Sequence, residues 1–236
     1  MDRFLWRLVK SFLYRSGELA YRILPKKAVL AFYCYMAYIF RAVAWRQACK
    51  YYGSAMTQRR GDMSEFVLSK IGPGMSVIDV GCAEGNLTRL LARKAKKVVA
   101  VEIDKKYLDM IDKDDKALGN VTFINGDIID LNFDEIFDMS VLIHAIEHME
   151  NAPDILKKIS KIAKMIVVET PDQESDWLTS TLIDLGIDER GDDKHVRLYD
   201  AITLKEELEN SGWGKVIISK GNGVVRAVAC SSMHQA

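Results

Sequence analysis

Apolar positions change their period along the chain, and the change divides it. Over residues 4–24, the pairs Phe4/Leu5, Leu8/Val9, Phe12/Leu13, Leu19/Ala20 and Ile23/Leu24 recur at spacings of three, four and seven, which predicts an amphipathic helix. After Pro25, residues 28–40 form an apolar run rich in Tyr and Phe. From Asp62 onward, β-branched runs alternate with helical stretches. The spacing predicts helices over 63–70, 86–94, 105–118, 153–164 and 201–211. It predicts strands over 76–80, 97–101, 121–125, 139–143, 165–169, 215–220 and 224–230. Gly72-Pro-Gly74 stops the first of these helices, and Pro153 opens a later one where its missing N–H does no harm. Gly221-Asn-Gly223 joins the last two strands as a hairpin. Alternation of this kind predicts an α/β fold: a seven-stranded, mainly parallel sheet covered on both faces, an antiparallel C-terminal hairpin at one edge, and an N-terminal helical extension.

Charge sharpens the division. The 236 residues have no net charge, but residues 1–60 hold twelve Lys/Arg against two acids, a net +10, and residues 61–236 hold twenty-one against thirty-one, a net −10. Such a split points to two parts with different partners, a basic extension over 1–60 and a larger domain over 61–236. Cys34, Cys49, Cys82 and Cys230 form no C-x-x-C pair, so reduced thiols in a cytoplasmic setting are expected. The basic, aromatic-bearing first helix suits a membrane surface that carries anionic lipid, with residues 1–45 as the contact and the protein peripheral at the inner membrane face. The apolar run over 28–40 is too short for the roughly 30 Å hydrocarbon layer at about 1.5 Å per residue. Extending it to Trp45 would bury Arg41. A secretory signal does not fit, because the charged stretch before the apolar run is too long and no small-residue cleavage site follows. A lid on the larger domain, a membrane-surface arm and a membrane anchor all stay open for residues 1–60.

The chemistry begins at residues 77–88. A buried strand ends in Asp79, and Gly81, Ala83 and Gly85 follow two apart before a helical pattern starts, giving D-x-G-x-A-x-G. Small residues suit a sharp strand-to-helix turn on which a nucleotide-like group lies, against the free N–H groups of the next helix. Glu102 ends the second strand, where an acid can accept from both ribose hydroxyls of a nucleotide. A dinucleotide-type G-x-G-x-x-G would need glycine at 83 and 86, where Ala83 and Asn86 stand. A third acid, Asp127, follows the third strand. In this order the motifs resemble the class I S-adenosylmethionine (SAM)-dependent methyltransferases, over roughly residues 62–230. The resemblance implies a Rossmann-like fold and SAM as cofactor. It places Asp79, Gly81, Cys82, Ala83 and Gly85 on the cofactor turn, Glu102 and Ile103 at the ribose, and Asp127 and Ile128 at the adenine.

Three of the four histidines lie near the expected active site: His144, His148 and His195. The letters H-x-x-E-H at 144–148 also spell an inverted zinc-peptidase motif, but that motif needs a long helix and here a strand runs into it. The segment instead resembles the E-x-x-E-H stretch of the ubiquinone-pathway O-methyltransferases and the small-RNA terminal 2′-O-methyltransferases, which holds a divalent metal. Glu147 and His148 match that stretch, and His144 replaces its first Glu. The resemblance implies a candidate catalytic and metal set of His144, Glu147, His148 and His195, whose nitrogen-rich donors favour Zn, Fe or Mn over Mg. A metal-free general base and a structural role fit the same residues.

A hydroxyl acceptor needs help losing its proton, so O-methylation of a small or lipid-like molecule is the expected reaction. The loop over 171–197, with Trp177 and Leu182, is the expected acceptor wall. An RNA 2′-O-methyltransferase and a non-catalytic SAM-binding partner subunit are the rival readings. The −10 charge of residues 61–236 disfavours nucleic acid. Oligomeric state is not legible from the residues.

Overall fold

The computed structural model describes residues 3–52, 61–111, 118–172, 181, 185, 196–221 and 223–234. The chain divides into two compact units, Met1–Met56 with Asp176–Gly191, and Thr57–Ser175 with Asp192–Ala236. Among its described residues, the first contains the helices α1 (Arg3–Ile23) and α2 (Lys26–Tyr52). They meet where α1 carries no side chain, since a Cβ on Gly17 would lie 3.3 Å from the Tyr33 hydroxyl oxygen. Among the described residues, no helix is long and apolar enough to cross a membrane.

The second unit runs α3 (Gly61–Ser69), β1 (Ser76–Val80), α4 (Asn86–Ala92), β2 (Lys97–Glu102), α5 (Lys105–Asp109), β3 (Val121–Asn125), β4 (Phe137–Ile143), α6 (Ala152–Ile162), β5 (Ala163–Pro171), α7 (Ala201–Asn210), β6 (Trp213–Gly221) and β7 (Val224–Ser231). The seven strands are ordered β3-β2-β1-β4-β5-β7-β6. The first five pair in parallel, and β7 runs antiparallel to both β5 and β6. The expected seven-stranded sheet with an antiparallel terminal hairpin is therefore present.

Side chains alternate across the strands and fill two cores. Ile78, Val99, Leu142, Ile166 and Val168 face Leu156 and Ile159 of α6 and Leu204 and Leu208 of α7. Val77, Val98, Val141 and Val167 face the other way, with Val67 of α3 and Leu91 of α4. Each such fully buried aliphatic side chain contributes about 1.5–3 kcal/mol relative to exposure. Helix α7 begins on a capping box, in which Asp200 accepts from the backbone N–H of Ile202 and Thr203 while the Thr203 hydroxyl accepts from the Asp200 N–H.

Several boundaries differ from the sequence pattern, and three have a visible cause or limit. Helix α6 ends at Ile162, because Ala163 adopts extended backbone and joins the sheet opposite Phe137. Strand β4 starts two residues early: Asp138 is tolerated because its carboxylate accepts from the Ser76 N–H at 2.9 Å and from Lys164 at 2.8 Å. Helix α5 closes at Asp109, with residues 112–117 of its expected span outside the described residues.

Candidate functional site

Strands β1, β2, β3 and β4 end side by side, and their following loops enclose a cavity of about 290 Å³. Gly81, Glu102, Ile103, Asp127, Ile128, His148 and Met149 are among its lining residues. The turn after β1 takes left-handed backbone at Gly81 (φ 77°), Ala83 (φ 46°) and Gly85 (φ 71°). Only glycine adopts this region without strain. Space is short as well. A Cβ on Gly81 would meet the Ala145 Cβ at 2.7 Å, and one on Gly85 would meet the Phe123 ring at 3.3 Å. Part of the demand for small residues therefore comes from neighbouring side chains, in addition to any ligand.

Glu102 braces this arrangement. Its two carboxylate oxygens accept from the backbone N–H groups of Ala83 and Asp104, each at 2.9 Å, so the acid holds the first loop against its own. Each oxygen keeps a further lone pair for ribose hydroxyls. Asn125 donates to the carbonyls of Glu102 and Ile103 at 2.9 Å, fixing the second loop from the strand beside it. Asp127 accepts from the Ile129 N–H at 3.0 Å, which orients the third acid. Ile103 is largely exposed while Ile128 is buried. The glycine cradle, the braced carboxylate and the apolar wall fit SAM.

Two expected cofactor residues sit beneath the cavity. The Cys82 side chain packs in an apolar cluster with Ala100, Leu108 and Ile111. Burial and the nearby carboxylates of Asp79 and Glu102 push its thiol far up. Asp79 is buried and accepts from the Thr88 hydroxyl at 2.7 Å. Burial raises its carboxyl to about 6, aided by the charge of Glu102 and opposed by the Thr88 hydrogen bond.

After β4 the chain turns at His144, whose backbone is left-handed (φ 51°) and whose N–H donates to the Glu169 carbonyl at 2.8 Å. A non-glycine residue in that region is strained and persists where surrounding contacts enforce it. Here the contacts are two carboxylates: Nδ1 lies 3.3 Å from Glu147 Oε1, and Nε2 lies 3.2 Å from Glu169 Oε1. Burial opposes a charge on the ring, but hydrogen bonds and charges from Glu147 and Glu169 outweigh it and raise His144 to about 9. The Thr170 hydroxyl donates to Glu147 Oε2 at 3.0 Å, and Arg226 Nε donates to Glu169 Oε2 at 2.6 Å. Burial raises Glu169, yet His144 and Arg226 hold it below its ordinary value. The Arg226 guanidinium also lies over the Phe66 ring, 4.9 Å from its centre.

Of the metal set expected from the sequence, three histidines and one glutamate, His144, Glu147 and His148 are among the described residues and form no cluster around a common point. Within them, no group of three or more His, Cys, Asp or Glu could hold a metal. A His144 ring that donates to carboxylates from both nitrogens has no lone pair for a metal or for a substrate proton. Its neighbour is turned elsewhere: in the 3₁₀ turn Ile146–His148, successive side chains point about 120° apart. Glu147 is thereby buried, and His148 is exposed on the cavity wall. His195, Trp177 and Leu182 lie outside the described residues. The chain that follows returns at once to this turn, since Val196 and Arg197 N–H donate to the Glu147 carbonyl. The Arg197 guanidinium donates to the carbonyls of Met149 and Glu150. Glu169, Thr170, Arg226 and Arg197 were not singled out from the sequence. An acid ending the apolar run over 165–169 was the one visible signal.

Comparison with known proteins agrees with this construction. The chain is 38% identical over 88 residues to ribosomal RNA small subunit methyltransferase A of Bacillus cytotoxicus, across 37% of this chain and 27% of that protein. It spans only about a quarter of the length of such curated relatives. The magnesium protoporphyrin IX methyltransferase of Synechocystis PCC 6803, solved with bound S-adenosylhomocysteine (SAH), superposes with a TM-score of 0.59 at 17% identity, covering 82% of this chain and 96% of that one. A small RNA methyltransferase superposes at 0.60 and 19% identity, over 75% of this chain and 25% of that one. Residues 52–216 match the family described as a methyltransferase domain, which is most of the chain, so the protein belongs to that family.

Proposed function

We propose that the enzyme transfers the methyl group of SAM to a hydroxyl oxygen of a small or lipid-like molecule, without a metal, and that His148 takes the hydroxyl proton. SAM supplies a methyl on a sulfonium, which is already a good leaving group, so the protein has to align the acceptor and remove its proton. The observation that carries this reading is the placement of His148, exposed on the wall of the cavity that Gly81 and Glu102 also line. Histidine suits proton removal near neutral pH. Glu147, pinned by His144 and Thr170, fixes the turn on which His148 sits. Residues 61–236 then act as the catalytic domain. Residues 1–45 act as an arm at an anionic lipid surface, which puts the enzyme in the cytoplasm at the inner membrane face.

RNA is the second reading, favoured by relatives and neighbours named for RNA substrates. The net charge of −10 over residues 61–236 weighs against it. A labelled-methyl assay on hydroxyl-bearing lipids, small phenols and RNA separates the acceptors. In the same assay, His148→Ala should lower kcat about 10²–10⁴-fold with SAH affinity nearly unchanged, and chelators should leave activity intact. A His148→Ala enzyme with ordinary kcat, or one revived by added metal, would remove this mechanism.

A further inference from the structure

The turn between α1 and α2 presents three consecutive exposed apolar residues, Ile23, Leu24 and Pro25. Ile23 is 70% exposed and Leu24 54%, far beyond what a packed helix junction leaves open. Exposed cations frame them, with Arg22 before and Lys26 and Lys27 after. Tyr21 is exposed too, with the Lys26 ammonium 5.5 Å from its ring centre. Part of the backbone here is paired: Leu24 N–H donates to the Ala20 carbonyl, Pro25 has no N–H, and the Pro25 carbonyl accepts from Ala28 and Val29. Exposed Leu30 and Phe32 continue the apolar surface into α2. Between residues 3 and 56 the only acid is Glu18.

An apolar wedge ringed by cations is complementary to one kind of surface, a bilayer whose headgroups are anionic and whose acyl boundary lies just below them. We infer that Tyr21–Lys27 is the part of the arm that enters such a bilayer. Ile23, Leu24 and Pro25 reach the acyl boundary, and Arg22, Lys26 and Lys27 stay among the phosphates. This rests on the arm reading above and localises it to seven residues remote in sequence from the cofactor turn.

The test is co-sedimentation of the full-length protein with phosphatidylglycerol–phosphatidylcholine vesicles and with phosphatidylcholine vesicles. Wild type, Ile23→Glu/Leu24→Glu and Lys26→Glu/Lys27→Glu are compared, with SAH affinity as the folding control. Wild type should partition onto the anionic vesicles and far less onto the neutral ones. A cation at an anionic surface strengthens partition about fivefold, so each double variant should bind at least about tenfold more weakly at unchanged SAH affinity. Wild-type binding retained by both variants would overturn the inference while leaving the arm at the membrane. Loss in the charge variant alone would remove the wedge. No vesicle binding by the wild type would overturn both, leaving a protein surface or a second copy of this chain to cover the turn.

Discussion

At the scale of single residues, the cofactor turn is set by backbone shape and by one buried acid. Gly81 is constrained twice, by its positive φ and by Ala145 at 2.7 Å from any added Cβ. Gly81→Val should therefore weaken SAH binding by at least about a hundredfold in calorimetry, since the turn must move for the side chain to fit. Gly74→Ala, where a Cβ meets nothing within 4 Å, should bind like wild type. Asp79 gives a pH dependence with opposite signs for folding and binding. Its carboxyl holds a proton to about 6 in the fold, against an ordinary 3.8. The folded state thus binds more protons, and its advantage, complete below the ordinary value, is lost as pH rises through 6. The cofactor is a cation and favours ionised Asp79, so its affinity should fall as pH drops below 6. Asp79→Asn should flatten that dependence, weaken binding at pH 7 and raise the melting temperature there, because asparagine still accepts from Thr88 without a buried charge. A variant whose SAM affinity falls with acidification as in wild type would show that another group is responsible.

At the scale of elements, the ends of β4, β5 and β7 are tied by charge. His144, Glu169 and Arg226 stand on three neighbouring strand ends, and the antiparallel register pairs Glu169 directly with Arg226. Removing one partner of such a buried set leaves a stranded charge. Arg226→Met should cost about 3–5 kcal/mol in denaturant unfolding, and adding Glu169→Gln should recover much of it. If Arg226→Met is nearly neutral, the pair is not coupled in solution. Glu169→Gln should also lower the His144 midpoint from about 9, read by NMR, because it removes one of the two carboxylates that raise it. His144 adds stability below its ordinary 6.5 that disappears as pH climbs through 9. The limit of sequence reading lies in this same array. The β1 turn was legible because Asp79, Gly81, Ala83 and Gly85 are neighbours in the chain, and strand spacing placed Glu102 and Asp127 beside them. Of the two ring partners of His144, Glu147 was legible and Glu169 was not, because Glu169 comes from the neighbouring strand and is itself held by Arg226, 57 residues further on, through a sheet register. The letters around His144 left a metal ligand, a base and a structural role open, because the carboxylates on its ring come from a turn and another strand.

At the scale of the whole molecule, zero net charge is the sum of two opposed parts, +10 over residues 1–60 and −10 over the remainder. Unpaired, the catalytic part would be a strongly acidic protein and would be repelled by an anionic surface. On the proposed arm reading, the basic extension offsets that repulsion, and its attraction is screened by salt over about 8 Å near physiological ionic strength. Every residue lining the cofactor cavity falls between Val80 and Ile155, inside the unit that begins at Thr57. That unit carries its own two cores and is long enough to bury them. A chain lacking residues 1–56 should accordingly fold and bind SAH within about twofold of the full protein in calorimetry. The same chain should lose salt-sensitive vesicle binding and turnover of a membrane-embedded acceptor, while a soluble analogue of that acceptor is still methylated. If the shortened chain binds no SAH, the extension is part of one cooperative fold with the sheet, and the division of charge serves folding rather than attachment.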